Sequence, residues 1–337
     1  MNPLYQSTPA SSGRVSPAPG VSLYYERRGA ADAPEKVLLL MGAFGSLRHL
    51  DEFADVLAAS HGGRRFEVLT VDHRGAGRST PSPPDGSPQR RRPLVAQSAA
   101  LLAADAAALL RALWPGAPRL HVYGVSMGGM VAQHLALLLL DAARDAAVAS
   151  SSNAPPPRLA SLTLATTARA YGWSRYVPLP PLLLRLALLP VVRVARARLL
   201  VAWLLPRCFP PEALAAVPHP EAQAGGSDTF GALWACRWTD EFSDWFALLD
   251  LDAVAEQASV ATRHHLSDAD AAALRASGVP ILVKCASRDA LIAPAAQRHL
   301  AAALGASLHE TDTGHMGDAQ DNAAFAARMA RFCCDAP

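Results

Sequence analysis

The sequence predicts an α/β protein with a mostly parallel central sheet, helices on both faces and an inserted helical cap. Three observations predict it. Short apolar runs bounded by turn residues alternate with longer helical patterns, the order that builds a parallel sheet. The run at 36–41 (KVLLLM) is apolar beyond its first residue, as a strand buried on both faces is. The stretch between the runs at 159–165 and 280–285 is too long for one crossover, so residues 168–265 read as the cap.

The elements follow in order. Residues 1–20 are rich in Ser and Pro and read as a disordered tail. They hold no apolar leader segment, so a soluble intracellular protein is expected, although a Ser-rich, acid-free start also fits a transit peptide. The core is expected over 21–167 and 266–337. Strands are predicted at 21–27, 36–41 (KVLLLM), 66–71 (FEVLTV), 120–123 (LHVY), 159–165 (LASLTLA), 280–285 (PILVKC) and 307–310. Helices are predicted at 50–59, 94–113, after Ser126, and at 322–332. The Pro/Arg-rich stretch 81–93 reads as a loop, and so does the Ala/Ser/Pro-rich stretch 141–157.

Composition narrows the function. With 337 residues, 51% hydrophobic and 18% charged, the chain is long enough for a deep core and is not globally disordered. A net charge of +2 gives no footprint for nucleic acid. Five cysteines make no disulfide framework, and the absence of CxxC or HExxH spacing leaves no metal site to expect. Cys208, Cys236 and Cys285 read as small buried hydrophobes.

The chemistry concentrates in Gly124-Val125-Ser126-Met127-Gly128-Gly129, a G-x-S-x-G pattern between an apolar strand and a helix. A serine on so sharp a turn needs small neighbours two residues before and after it. The helix N-terminus then supplies backbone N–H groups beside its oxygen. A serine hydroxyl also needs a base, and the base needs an acid. Asp289 follows the strand at 280–285 and His315 follows the last strand, in the chain order Ser, acid, His. Other readings stand beside these: a plain glycine turn at 124–129, a helix cap at Asp289, an ordinary loop histidine at His315. His309 is the rival base but lies within a predicted strand, and His264 and His265 read as packing or hinge residues. Acyl transfer also needs donors for a developing oxyanion. By topology these are the backbone N–H of Met127 and that of Ala43, in the turn Met41-Gly42-Ala43-Phe44-Gly45.

The segments LLLMGAFGS, VDHRGAGRST, HVYGVSMGGMVAQ, SRDALIAP and TGHMG, in this order, resemble the α/β-hydrolase superfamily over about residues 21–335. The resemblance implies a Ser126–His315–Asp289 triad, an oxyanion hole at Ala43 and Met127, and a structural D-x-R-G-x-G-x-S loop at residues 72–79 that shapes the floor of the site. It is closest to the capped, cofactor-free serine hydrolases and esterases, so no cofactor is expected. Met41 stands where the superfamily often has His, and Ala286 where it often has Gly. The expected partner is a small acyl substrate, and an ester, amide, thioester or C–C bond would all suit the same triad. Acyl transfer to another acceptor, or a slow ligand-binding receptor on the same fold, also remain open.

The cap is apolar and rich in tryptophan, which makes Phe44, Trp173, Trp234 and Trp238 candidate pocket residues for a greasy substrate. The same tryptophans could simply fasten cap to core. Segment 182–205 could rest on a lipid surface through Arg185, Arg193 and Arg196, but its arginines and Pro190 argue against a membrane span.

Overall fold

The computed structural model describes residues 8–79, 97–117, 119–148, 155–170, 193–216, 229–248, 251–317 and 322–336. Its strands are β1 (Ser11–Val15), β2 (Leu23–Gly29), β3 (Glu35–Leu40), β4 (Phe66–Val71), β5 (Leu120–Val125), β6 (Leu159–Ala165), β7 (Ile281–Ala286) and β8 (Ser307–Thr311). Among the described residues they form one eight-stranded sheet in the order β1-β2-β4-β3-β5-β6-β7-β8. β1 and β2 pair antiparallel, as do β2 and β4. All other neighbours are parallel.

The order of the strands places the site. From β3 the chain moves outward to β4, then returns to β5 on the other side of β3. The loops leaving β3 and β5 therefore part at their carboxyl ends, opening the crevice where α/β sheets bind ligands. Every residue of β4, β5, β6 and β7 is buried, which explains their largely apolar character. The edge strands β1 and β8 are short, polar and largely exposed, a pattern that discourages pairing with other chains.

Helices cover both faces. On one side lie α1 (Asp51–Ala59) and the last helix, α10 (Asn322–Asp335), which bury Phe53, Leu57, Phe325 and Met329. On the other lie α2 (Ala99–Leu113), α3 (Met127–Val148), α8 (Asp268–Ala276) and α9 (Pro294–Leu304), which bury Leu109, Leu135, Leu274 and Leu300. Full burial of one such side chain contributes roughly 1.5–3 kcal/mol. Ser98 caps α2 by accepting the Leu101 N–H, and Ser267 caps α8 by accepting the Asp270 N–H. Between β6 and β7 the chain also carries α4 (Arg193–Cys208), α5 (Pro211–Ala215), α6 (Phe230–Leu248) and α7 (Leu251–Arg263), with α4 packed on α6. Among the described residues, no helix is long and apolar enough to cross a membrane.

Three expectations need correction. The tail at 1–20 contains a strand: Ser11–Val15 pairs residue for residue with Leu23–Arg27 of β2. Its SSGRV sequence has no apolar alternation because an edge strand needs only its backbone to pair. The stretch from Asp141 is not all loop, since α3 continues to Val148. Alanine is the best helix former, so low complexity there extends the helix. Cys236 is exposed, whereas Cys208 and Cys285 are buried. The loop at 81–93 and most of segment 182–205 before α4 lie outside the described residues.

Candidate active site

β5 ends at Val125 and α3 begins at Met127, so Ser126 alone makes the turn. Its φ is +55°, in the left-handed region that non-glycine residues rarely occupy. Such a conformation costs about 1–3 kcal/mol and persists only where surroundings enforce it. Here they do. Ser126 N–H donates to Ala165 O at 2.9 Å, and its carbonyl accepts from Gly129 N–H at 3.0 Å. The same carbonyl accepts the Thr167 hydroxyl at 2.7 Å. The flanking glycines allow the close approach: a Cβ on Gly124 would overlap Gly128 O, and one on Gly128 would overlap Leu40 O. Strand, turn and helix are thus drawn tightly together, with Ser126 partly exposed at the tip.

The turn leaving β3 lies against this serine. A Cβ on Gly42 would sit 3.0 Å from Ser126 Cβ and 3.5 Å from its Oγ. Ala43 and Phe44 follow, both partly buried, and Phe44 has φ +62°. Phe44 N–H donates to Gln257 Oε1 on α7 at 2.8 Å. The loop at residues 72–79 supports the turn from beneath. Asp72 accepts Leu47 N–H at 2.7 Å and Arg78 N–H at 2.8 Å. Burial pushes its carboxyl up to about 6, against the pull of those two bonds. His73 Nε2 donates to Met41 O at 3.0 Å, and burial lowers the basicity of that ring. Arg74 grips Asp105 of α2 with two bonds, its Nε 2.5 Å from Oδ2.

On the other side of the crevice, Asp289 and His315 meet. Asp289 leaves β7 and His315 leaves β8, and His315 Nδ1 donates to Asp289 Oδ2 at 2.8 Å. Four donors fill the carboxylate. Leu291 N–H and Ile292 N–H reach Oδ1, each at 2.8 Å, while Gln297 Nε2 reaches Oδ2 at 2.8 Å beside the imidazole. Asp289 is therefore not the cap of α9, whose N-cap is Ala293. It closes a side-chain turn ahead of that helix. Gln297 also accepts Ala286 N–H at 3.0 Å, tying α9 to the end of β7. With Nδ1 committed to the acid, Nε2 becomes the nitrogen through which this ring exchanges protons.

Apolar packing joins the three loops. Met41, Val125 and Met316, neighbours of the β3 turn, Ser126 and His315, belong to one buried cluster with Phe209, Trp234 and Trp238. Cys208 O at the end of α4 accepts Met316 N–H at 3.1 Å. Trp238 Nε1 donates to His49 Nε2 at 3.0 Å, linking α6 to the segment after the β3 turn. Trp234 stacks on His49 and lies tilted against Phe209, and among the described residues its buried indole N–H has no hydrogen-bond partner. Phe44 packs on the same cluster. Trp173 lies outside the described residues. His309 stacks on Phe325, 5.9 Å between centroids, and faces the core under β8. His264 is buried edge-on to His134, and His265 bridges to Ala170. His49, Gln257 and Gln297 are the site-adjacent residues that sequence reasoning passed over. Each acts by reaching a distant partner, which leaves no motif.

Comparison with known proteins agrees with this architecture. A family model described as the alpha/beta hydrolase fold matches residues 36–317. A hydrolase from Pseudomonas aeruginosa PA01 is similar in structure, with a TM-score of 0.66 at 22% identity over 96% of this chain and 98% of that one. An enol-lactonase from Burkholderia xenovorans LB400 gives 0.65 at 22% identity over 95% of this chain and 99% of that one. An esterase from Rhodococcus sp. ECU1013 gives 0.65 at 16% identity over 97% of this chain and all (100%) of that one. At such identities these likenesses speak for the fold, and with the family match they establish that the chain belongs to the alpha/beta hydrolase family.

Proposed function

We propose that this hydrolase cleaves a carboxylic ester or closely related acyl compound through an acyl-enzyme on Ser126. The observation that carries the reading is the Asp289–His315 pair, 2.8 Å apart, on the same sheet edge as a strained serine at a helix N-terminus. In this mechanism His315 takes the Ser126 proton as the oxygen attacks the acyl carbon. Asp289 orients the ring and stabilises its cationic form. The N–H groups of Ala43 and Met127 receive the developing oxyanion, where loss of one donor typically costs roughly 2.7–4 kcal/mol of barrier. His315 returns the proton to the leaving alcohol, and water then repeats the sequence to release the acid.

The helices between β6 and β7 act in this reading as a cap over the crevice. The buried apolar cluster of Trp234 and Trp238, with Phe44 packed on it, supports an apolar pocket suited to an alkyl or aryl group. The enol-lactonase and esterase named above are compatible with this chemistry. A fluorophosphonate probe tests the nucleophile: labelling of the wild type and none of Ser126→Ala is expected, and equal labelling of both refutes the mechanism. Acyl esters of increasing chain length, run beside amides and thioesters, test the substrate class. Faster turnover of longer acyl esters is expected, and a preference for acetyl contradicts the apolar cap.

A further inference from the structure

Gln257 belongs to α7 and is 1% exposed, yet its side chain reaches the turn that leaves β3. Its Oε1 accepts Phe44 N–H at 2.8 Å. A backbone N–H can only donate, so the amide has one orientation and Nε2 is turned away from Phe44. That nitrogen is buried and, among the described residues, has no hydrogen-bond partner. The helix around it is held firmly. Glu256 Oε2 accepts Gln97 Nε2 at 2.7 Å, and Ser259 Oγ donates to Gln97 O at 3.2 Å. Phe44 stands two residues beyond Gly42, which abuts Ser126. A desolvated donor therefore lies close to the turn that the mechanism uses for the oxyanion. Buried polar groups in folded proteins are nearly always paired, and an exception beside a reacting centre has a water or a bound group as its natural partner.

We infer that Gln257 determines specificity: Oε1 positions the β3 turn, and Nε2 donates to a second oxygen of the substrate. The preferred substrates are then esters bearing a keto or ether oxygen close to the scissile carbonyl, an inference that rests on the ester-hydrolase reading above. A site built to hydrogen-bond a substrate group strongly rejects the analogue that lacks it.

The test compares kcat/KM for 4-nitrophenyl pentanoate with its 3-oxo and 4-oxo analogues, which share a leaving group. Wild type is expected to favour at least one oxo ester about tenfold or more. Gln257→Met loses that preference and also slows the plain ester, because the turn is no longer held. Gln257→Glu keeps an acceptor for Phe44 N–H but offers a donor only when protonated. It restores the plain ester, lacks the oxo preference at pH 8, and regains it as pH falls. The ratio of two esters in one enzyme cancels any pH dependence common to both reactions, so a merely structural glutamine would leave it flat. An absent preference in wild type, or one that survives in Gln257→Met, overturns the inference. Fluorophosphonate labelling of the same wild-type preparation separates the two failures. Labelled enzyme with a flat ratio removes the role of Gln257 alone, and unlabelled enzyme removes the hydrolase mechanism beneath it.

Discussion

Two acid–histidine pairs sit at opposite ends of one sheet. At the carboxyl ends of the strands, His315 Nδ1 meets Asp289 at 2.8 Å. At the amino ends, His121 Nε2 meets Glu35 at 2.8 Å, and its Nδ1 lies 2.8 Å from Ser161 Oγ. Carboxylate, imidazole and hydroxyl are thus in direct contact at the end with no predicted chemistry. The settings separate them. Ser161 lies within strand β6, just past a register shift against β5, and is buried, as are His121 and Glu35. Arg65 and Arg119 close on Glu35 at 2.8 and 2.7 Å. Arg119 also donates to Cys333 O and Ala336 O, fastening the end of α10. Ser126 instead stands on a left-handed turn at a helix start, partly exposed, beside the crevice where the strand order reverses. A triad of functional groups does not make a site; backbone turn, access and position on the sheet do.

The comparison breaks most visibly in the kinetics of the two serines. Ser126→Ala is expected to lower kcat/KM on an aryl ester by at least about 10³-fold, and Ser161→Ala to change it less than about threefold. Comparable losses from both would erase the distinction. Next, Glu35→Ala removes the centre of a buried charge network and should cost about 3–5 kcal/mol in denaturant unfolding. The enzyme that remains folded should turn over at the wild-type rate, so a matching drop in kcat would mean that the far network reaches the site. A smaller effect is expected at Gln297. Gln297→Leu removes one donor from Asp289 and loosens its loop, which should reduce kcat about tenfold with KM little changed. An unchanged kcat would show that His315 and the N–H groups of Leu291 and Ile292 hold the acid without Gln297.

The smallest effect concerns pH. Burial depresses His121 below its ordinary 6.5, so its folded form binds fewer protons than the unfolded chain. Stability from that source is full above 6.5 and is lost as pH falls below it. Burial alone would raise Glu35, but hydrogen bonds from His121 and Arg119 outweigh it and hold the group below 4.5. That contribution is present above 4.5 and lost at more acid pH. Thermal melts of Glu35→Gln should therefore show a shallower acid limb below 4.5 than wild type. An identical limb would remove Glu35 from the account.

Much of the site was legible because its signals are local. Ser126 stands in a motif that needs a strand before it and a helix after it, and both patterns are visible in the residues. Asp289 follows the apolar run at 280–285 and His315 follows the short stretch at 307–310, both of which read as strands, so their common edge could be inferred. Residues whose roles depend on distant partners were silent. Nothing around Gln257 marks it as the acceptor for Phe44 N–H, 213 residues away in sequence. His49 and Gln297 were hidden for the same reason. His121 read only as part of a strand, since LHVY gives no hint that Glu35 and Ser161 lie beside it. The edge strand at Ser11–Val15 escaped notice because backbone pairing leaves no apolar pattern in SSGRV.

The most direct test of the central claim is to find which serine becomes acylated. Rapid mixing with a 4-nitrophenyl ester, acid quench and peptide mass mapping would report it. The account predicts a burst of about one nitrophenolate per chain and an acyl group on the peptide containing Ser126, with Ser161 unmodified. An acyl group on Ser161, or wild-type turnover in Ser126→Ala, would contradict it.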